Sequence, residues 1–220
     1  MKSSGKIDQV GTARQRPWCS KQEATRSIDK LAGPRYLGPV NALKAGQLHL
    51  IALSVDATIR HVVESFRGSD EWRIDVVDEP GTLFSRLTHE TAMVLIDEPA
   101  VTGGYLSAIR RARRTVPGVE ALVVGGPKSD ELIASERREG VDQYFARPLD
   151  EGLLTGALSH RMKLVALKVR AGIVSRSPGM EELLEAVIQV APTEVPILIE
   201  GESGTGKDVV ARAIHMASLR

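Results

Sequence analysis

The chain contains 220 residues, of which 42% are hydrophobic and 26% are charged, with a formal net charge of +1. These values are ordinary for a globular protein, and the net charge gives no whole-chain argument for nucleic-acid binding. The one cysteine, Cys19, excludes an internal disulfide, and no apolar run is long enough to span a membrane. We therefore expect a soluble, cytoplasmic protein that does not contact a membrane.

Residues 1–47 form the first segment, and they carry nine Lys or Arg against three acidic residues. The segment is rich in Gly, Ser, Gln and Pro and shows no sustained apolar period, which predicts a flexible basic arm. One alternative is that the segment is a basic tail that touches nucleic acid. Another is that it results from translation starting at an upstream start codon.

Residues 48–152 alternate short apolar runs with amphipathic segments. The predicted strands are 48–53, 73–77, 92–96, 120–124 and 143–145. The predicted helices between them are 57–66, 81–87, 105–114 and 130–139. This alternation predicts an α/β domain with a doubly wound parallel sheet, in the flavodoxin-like order 2-1-3-4-5.

Residues 153–171 are predicted to form a helical connector. One face is apolar, with Leu154, Leu158, Met162, Val165 and Val169 at helical spacing. This stripe predicts either packing as the last helix of the preceding domain or helix-mediated dimerisation. The charged residues are predicted to be solvated on other faces: His160, Arg161, Lys163, Lys168 and Arg170.

A second basic run lies on the helix predicted at 105–114. We predict a solvated face there, with a docking patch for a partner as the alternative. Its residues are Arg110, Arg111, Arg113 and Arg114.

Residues 201–207 have the spacing G-x-x-x-x-G-K of a phosphate-binding loop. An apolar run at 196–199 predicts a buried strand before it, and the spacing at 208–216 predicts a helix behind it. Glycines allow the backbone N–H groups to approach phosphate oxygens, and the Lys207 ammonium reaches the outer phosphates. The predicted nucleotide-binding residues of the loop are Gly201, Glu202, Ser203, Gly204, Thr205, Gly206 and Lys207. The alternative is a glycine-rich turn before an ordinary helix.

Asp208 departs from the general motif, which has Ser or Thr after the lysine as a Mg²⁺ ligand. The ligands of any metal are therefore unknown from this stretch.

Residues 172–220 resemble the opening of the AAA+ domain of sigma-54-dependent transcriptional activators. That family carries Gly-Glu-Ser-Gly-Thr-Gly-Lys followed by an acid, which Asp208 satisfies. Ser177-Pro178-x-Met180 and His215-x-x-Ser218-x-Arg220 also fall where the family has them. The resemblance implies ATP and Mg²⁺ as cofactors, with Ile173 and Val174 either near the adenine or in ordinary domain-edge packing.

The resemblance also implies partners and missing parts. In such proteins ATP hydrolysis by a ring remodels a promoter-bound sigma-54 RNA polymerase holoenzyme. The family's second acidic motif, polymerase-contacting loop, arginine finger and helix-turn-helix are not in residues 1–220. The chain is therefore expected to be the amino-terminal part of a longer protein, able to bind ATP but not to hydrolyse it well.

Residues 48–152 resemble a response-regulator receiver domain in layout. Asp97 ends the third predicted strand, where receivers carry the phosphoryl-accepting aspartate. The receiver's acidic pair is reduced to Asp56 near Ser54, its Ser or Thr becomes Gly125, and its lysine becomes Arg147 before Pro148. We therefore predict a pseudo-receiver in which Asp97 caps the following turn and is not a conventional phosphoacceptor.

Three functions follow from these observations. The leading one is the amino-terminal portion of an ATP-binding sigma-54-dependent activator with a degenerate receiver and a homodimeric or higher oligomeric state. The second is a non-enzymatic regulatory or dimerisation protein with a relic phosphate loop. The third is a phosphorylatable two-component response regulator.

Overall fold

The computed structural model describes residues 47–173, 175 and 177–218, and all of these belong to one unit. The flexible arm predicted at residues 1–47 lies outside the described residues except for Gln47. Val174, a predicted site residue, also lies outside them.

Five parallel strands form one sheet in the order β2-β1-β3-β4-β5. The strands are β1 (Leu48–Leu53), β2 (Trp72–Val77), β3 (Thr91–Asp97), β4 (Glu120–Gly125) and β5 (Gln143–Ala146). The three central strands β1, β3 and β4 are buried along their whole length, as expected when helices cover both faces of a parallel sheet. The predicted strand order is confirmed.

Helices connect the strands and continue the chain beyond the sheet. They are α1 (Ala57–Ser65), α2 (Pro80–Arg86), α3 (Tyr105–Thr115), α4 (Asp130–Glu139), α5 (Glu151–Ala171), α6 (Pro178–Val190) and α7 (Lys207–Ala217), with a 3₁₀ turn at Glu98–Ala100. Local signals set several of their ends. The Asp150 carboxylate accepts a hydrogen bond from Leu153 N and begins α5, and Gly172 in the left-handed region ends it.

The two faces of the sheet carry separate cores. On one face Leu50 and Leu95 pack with residues of α1 and α5, including Ile59 and Leu158. On the other face Ile51 and Ile96 pack with α2 and α3. Because successive strand residues point to opposite faces, one apolar run supplies both cores.

Helix α5 belongs to two cores at once. Its predicted apolar stripe packs on the sheet, which confirms the interpretation as the last helix of the α/β domain. Leu164, Leu167 and Ala171 point elsewhere and form a third core with α6 and α7. In the described part of the chain, no helix combines the length and apolar character needed to cross a bilayer.

The strand expected at residues 196–199 is not formed. Residues 194–200 have no regular structure, and the Leu198 side chain is 81% exposed. A strand is stabilised by hydrogen bonds to neighbouring strands. All five strands of the described residues belong to the β2-β1-β3-β4-β5 sheet, which residues 196–199 do not join. The helix behind the loop does pack, because α7 buries Val210 and Ala213 in the third core.

Candidate functional site

The first candidate site lies at the carboxyl edge of the sheet, where Asp97 ends β3. Its side chain is only 1% exposed. The Ser54 hydroxyl, at the end of β1, donates to Asp97 Oδ2 at 2.8 Å. The Arg147 guanidinium, directly after β5, donates to Asp97 Oδ1 at 2.8 Å. Both carboxylate oxygens of Asp97, which stands where receivers carry the phosphoryl-accepting aspartate, therefore already have donors.

Arg147 also binds the second acid of this edge. Its other terminal nitrogen donates to Asp56 Oδ2 at 2.7 Å, while Asp56 Oδ1 accepts from the backbone N–H groups of Thr58 and Ile59. The hydrogen bond from Arg147 lowers the pKa of Asp56. Burial works against the charge on Arg147, but the hydrogen bonds to Asp97 and Asp56 prevail and raise its pKa.

The Asp56 and Asp97 carboxylates, with the Arg147 guanidinium between them, do not fit Mg²⁺. The two carboxylates that a divalent ion would need are joined by a guanidinium, and Mg²⁺ requires several oxygen ligands in octahedral geometry. Among residues 47–173, 175 and 177–218, no group of three or more His, Cys, Asp or Glu side chains is placed to hold a metal ion. Arg147 takes the position between the carboxylates.

The prediction that Asp97 caps the following turn is wrong. Asp97 stands at the cap position of the 3₁₀ turn, but its side chain makes no capping hydrogen bond. Burial explains the difference, since the carboxylate faces inward to Ser54 and Arg147 and not along the turn.

Gly125, at the end of β4, lies close to the ends of two side chains. A Cβ at this position would collide with the Glu98 carboxylate and the Tyr144 hydroxyl. Tyr144 OH in turn donates to Gly126 O at 2.7 Å. A larger residue at this position would require the ends of the Glu98 and Tyr144 side chains to shift.

A partly buried lysine, Lys128, lies beside Glu98 and Tyr144 at this edge. Lys128 Nζ donates to Tyr105 OH at 2.6 Å and to Glu136 Oε1 at 2.9 Å. Burial disfavours the charged amine, but these two partners raise the pKa of Lys128. Burial, with Glu136 beside it, also raises the pKa of Tyr105 to about 12. Sequence reasoning missed this group, because residues distant in the sequence supply its partners.

The second candidate site is the loop at residues 201–207, which leads into α7. Gly204 and Gly206 have φ values of 81° and 83°, which residues other than glycine rarely adopt. Lys207 Nζ donates to the carbonyl oxygens of Gly201 and Glu202. The Lys207 ammonium thus contacts the start of the loop whose bound phosphate it is expected to contact.

A cavity of about 310 Å³ opens between this loop and the start of α6. Its lining includes Gly201, Thr205, Lys207 and Met180. Asp208 is exposed in the first turn of α7. Ile173 does not line the cavity and is buried in the third core, as the domain-edge packing alternative predicts.

Two predictions of solvated charge are wrong on α5. Arg161 and Lys168 are each 6% exposed and are ion-paired with Glu120 and Glu181. A signal for them exists in the sequence, because both extend the helical period of the apolar stripe. They are buried because acids from other elements meet them there.

The basic run on α3 is only partly solvated. Arg113 donates to Asp142 Oδ2 at 2.6 Å with 22% of its side chain exposed. Arg111 lies 4.1 Å from the centre of the Phe84 ring, and Arg110 pairs with Glu139. Each of these three cations therefore has a partner inside the chain.

Comparison with known proteins adds three findings. Residues 173–220 match the family model of the Sigma-54 interaction domain. The chain is 32% identical over 137 residues to the transcriptional regulatory protein ZraR of Escherichia coli K12. This alignment covers 58% of this chain and 31% of ZraR. It is 34% identical over 112 residues to GlrR of the same strain, covering 49% of this chain and 25% of GlrR.

Among solved structures, NtrX from Brucella abortus in complex with ATP aligns at 21% identity with a TM-score of 0.46. The alignment covers 80% of this chain and 42% of that chain. The chain spans less than a third of the length of the two curated relatives above.

Proposed function

Because this chain has the organisation of the sigma-54 activator family, a receiver-like domain followed by the start of a sigma-54 interaction domain, we propose that it regulates transcription as the amino-terminal part of an ATP-binding activator. The partners are then the sigma-54 RNA polymerase holoenzyme and promoter DNA, contacted by parts outside residues 1–220. Such a protein works in the cytoplasm.

The proposed domain division keeps the sequence boundaries: a basic arm at 1–47, a receiver-like domain at 48–152, a connector at 153–171 and the start of the AAA+ domain at 172–220. The separate cores on the sheet and around α6 and α7 support it. Helix α5 contributes to both sides of the boundary.

The proposed nucleotide site is the loop at 201–207 with Asp208. The positive φ of Gly204 and Gly206 and the cavity beside Lys207 support it. Lys207 would exchange its two carbonyl partners for phosphate oxygens, a stronger interaction because both groups are charged. Bound ATP would supply the energy of its phosphoanhydride bond, and we expect hydrolysis only where the rest of the domain is present.

We further propose that the receiver-like domain is degenerate and is not switched by conventional phosphotransfer. One observation carries this proposal: the Arg147 guanidinium joins Asp97 to Asp56. A receiver needs these oxygens for the phosphoryl group and for Mg²⁺. Here an internal cation already neutralises them, so the domain acts as a packing module.

Acetyl phosphate with Mg²⁺, followed by intact-mass measurement, tests the degenerate receiver. We expect no phosphoryl gain under conditions that label an ordinary receiver domain treated in parallel. A gain of one phosphoryl group that disappears in Asp97→Asn would instead identify a phosphorylatable response regulator.

ATP titration tests the nucleotide site, using a version of the protein that carries the complete sigma-54 interaction domain. We expect Lys207→Ala to abolish binding, because the ammonium supplies the charge facing the outer phosphates. Lys163→Ala, an exposed lysine on α5, is the matched control and should bind as the parent does. Unchanged affinity in Lys207→Ala would contradict the assignment.

A non-enzymatic regulatory or dimerisation role is the second candidate, favoured by one observation: residues 194–200 form no strand beside the loop. Dimerisation through the apolar stripe of α5 would require that stripe to leave the sheet, where Leu158 is fully buried. Sequencing the native transcript past the codon for Arg220 separates the candidates. A frame that continues into the acidic motif and the polymerase-contacting loop supports the activator, and an immediate stop codon supports the second role.

A further inference from the structure

Four charged side chains, three of them buried, join the receiver-like sheet to α6. Glu120 begins β4, Arg161 and Lys168 lie on α5, and Glu181 lies in the first turn of α6. We call these four residues the charge cluster. It lies at the start of β4, the opposite end of the sheet from Asp97.

Each cation of the cluster contacts both acids. Arg161 Nε donates to Glu120 Oε2 at 2.7 Å, and its terminal nitrogens donate to the two oxygens of Glu181 at 3.3 and 3.2 Å. Lys168 Nζ donates to Glu120 Oε1 at 2.8 Å and to Glu181 Oε1 at 2.9 Å. The two cations and two carboxylates balance in charge.

The four members differ in exposure, which separates them into two groups. The side chains of Glu120, Arg161 and Lys168 are 6–8% exposed, whereas that of Glu181 is 30% exposed. Burial opposes ionisation of Glu181, but the hydrogen bonds from Arg161 and Lys168 prevail and lower its pKa. Glu181 is thus the member with the easiest access to water.

Helix α6 buries fewer residues than α5 does. Helix α5 packs on the sheet through the whole stripe from Leu154 to Val165. Helix α6 buries Leu184 and Val187, and its remaining contacts are partial. Loss of the Glu181 contacts would therefore loosen the first turn of α6, while Leu184 and Val187 still pack in the third core and α5 stays on the sheet.

We propose that Glu181 is a detachable latch that docks the start of the sigma-54 interaction domain on the receiver-like domain. A buried ion pair is often no more stabilising than apolar packing of similar volume, so we assign this cluster the role of fixing one arrangement of α6 on α5. When Glu181 leaves, Glu120 remains to neutralise part of the Arg161 and Lys168 charge. The partner of the latch is this chain's own α5, so the inference does not depend on nucleotide binding.

Amide hydrogen exchange on this chain, followed by peptide mass spectrometry, tests the latch. The variant Glu181→Gln keeps the shape of the side chain and removes its charge. We expect exchange in residues 178–190 to accelerate about tenfold or more, because a hydrogen-bonded charge pair is lost. Exchange in β1, β3 and β4 should stay unchanged, which also shows that the variant folds.

The matched control is Glu185→Gln on the same helix. Glu185 lies 3.9 Å from His160 with both side chains 48% exposed, so its loss should leave exchange in α6 within about twofold of the parent. Equal effects of the two variants, or no effect of Glu181→Gln, would overturn the latch. Acceleration throughout the sheet would also overturn it, because Glu181 would then belong to the global core.

A double-mutant cycle with Lys168→Met sharpens the test. Without the Lys168 charge the cluster has excess negative charge, so Glu181→Gln should then accelerate exchange in α6 much less than in the parent. Independent, additive effects of the two substitutions would contradict a shared cluster.

Discussion

The sheet edge at Asp97 and the loop at residues 201–207 both carry residue types suited to phosphate, yet they are built in opposite ways. At the edge, a carboxylate that is 1% exposed is held by Ser54 and Arg147. In the loop, residues 201–205 are exposed and Lys207 donates to two backbone carbonyls. The first region contains its own counter-charge, whereas the second leaves positive charge available to a ligand.

The same contrast holds for packing. The strands beside Asp97 are covered on both faces, while the apolar run that precedes the loop pairs with no strand of residues 47–173, 175 and 177–218. The difference shows that residue type alone does not make a site open or closed. Neighbouring elements decide it by supplying or withholding partners.

Two leucine truncations test the packing contrast, and one of them should give the largest change in the free energy of unfolding. Leu95→Ala, in the fully buried strand β3, should lower the free energy of unfolding by about 2–5 kcal/mol, because it removes buried methyl groups and leaves a cavity. Leu198→Ala, 81% exposed, should change it by less than about 0.5 kcal/mol. Urea unfolding followed by circular dichroism measures both, and equal losses would break the comparison.

Removing the counter-charge at the edge should have the next largest effect. Arg147→Gln leaves the buried Asp97 without its cation, and we expect a loss of about 1–3 kcal/mol, reduced because the guanidinium is 29% exposed. Arg170→Gln is the control, since Arg170 pairs with Glu71 at the surface and its loss should cost less than about 0.5 kcal/mol. The same unfolding measurement compares the two, and a neutral Arg147→Gln would show that the edge does not depend on its internal cation.

A smaller effect is expected at the loop backbone. Gly206→Ala forces a side chain into the left-handed region and should destabilise the start of α7 by about 1–2 kcal/mol, measured as amide-exchange protection of Lys207–Ala217. Gly179→Ala in α6, where a Cβ meets nothing within 4 Å and φ is not positive, should not reduce protection of either helix. Full protection of α7 in Gly206→Ala would mean that the loop conformation is not required by the fold.

The smallest effect expected concerns His49, buried on β1 at the amino end of the sheet. Burial, followed by the nearby Arg73 charge, lowers the pKa of His49 below 6.5. The unfolded chain then takes up a proton first as the pH falls, so this stability is complete above pH 6.5 and decreases below it. Unfolding free energies at pH 7.5 and 5.5 measure the decrease, which should be smaller in His49→Gln. An equal pH dependence in the two proteins would exclude His49 as the cause.

Much of the fold could be predicted because its signals are local. The runs of β1, β3 and β4 are mainly apolar, as is typical of strands buried on both faces, and their alternation with helical periods predicts the strand order. The glycine spacing likewise predicts the loop at 201–207 by a local rule, since only glycine adopts the required φ values freely. The predicted helix ends lie within a few residues of the observed ends, because the helical period is also a local signal.

The chain's sequence by itself determined the α/β class, the connector helix and the loop, because period, glycine and apolar runs act over a few residues. Only the tertiary structure decided that Arg147 would reach Asp56, 91 residues away, and that Arg161 and Lys168 would be buried against Glu120 and Glu181. It also decided that residues 196–199 would form no strand. A side chain's burial and charge partners depend on elements distant in the sequence, and a strand depends on the neighbours with which it exchanges hydrogen bonds.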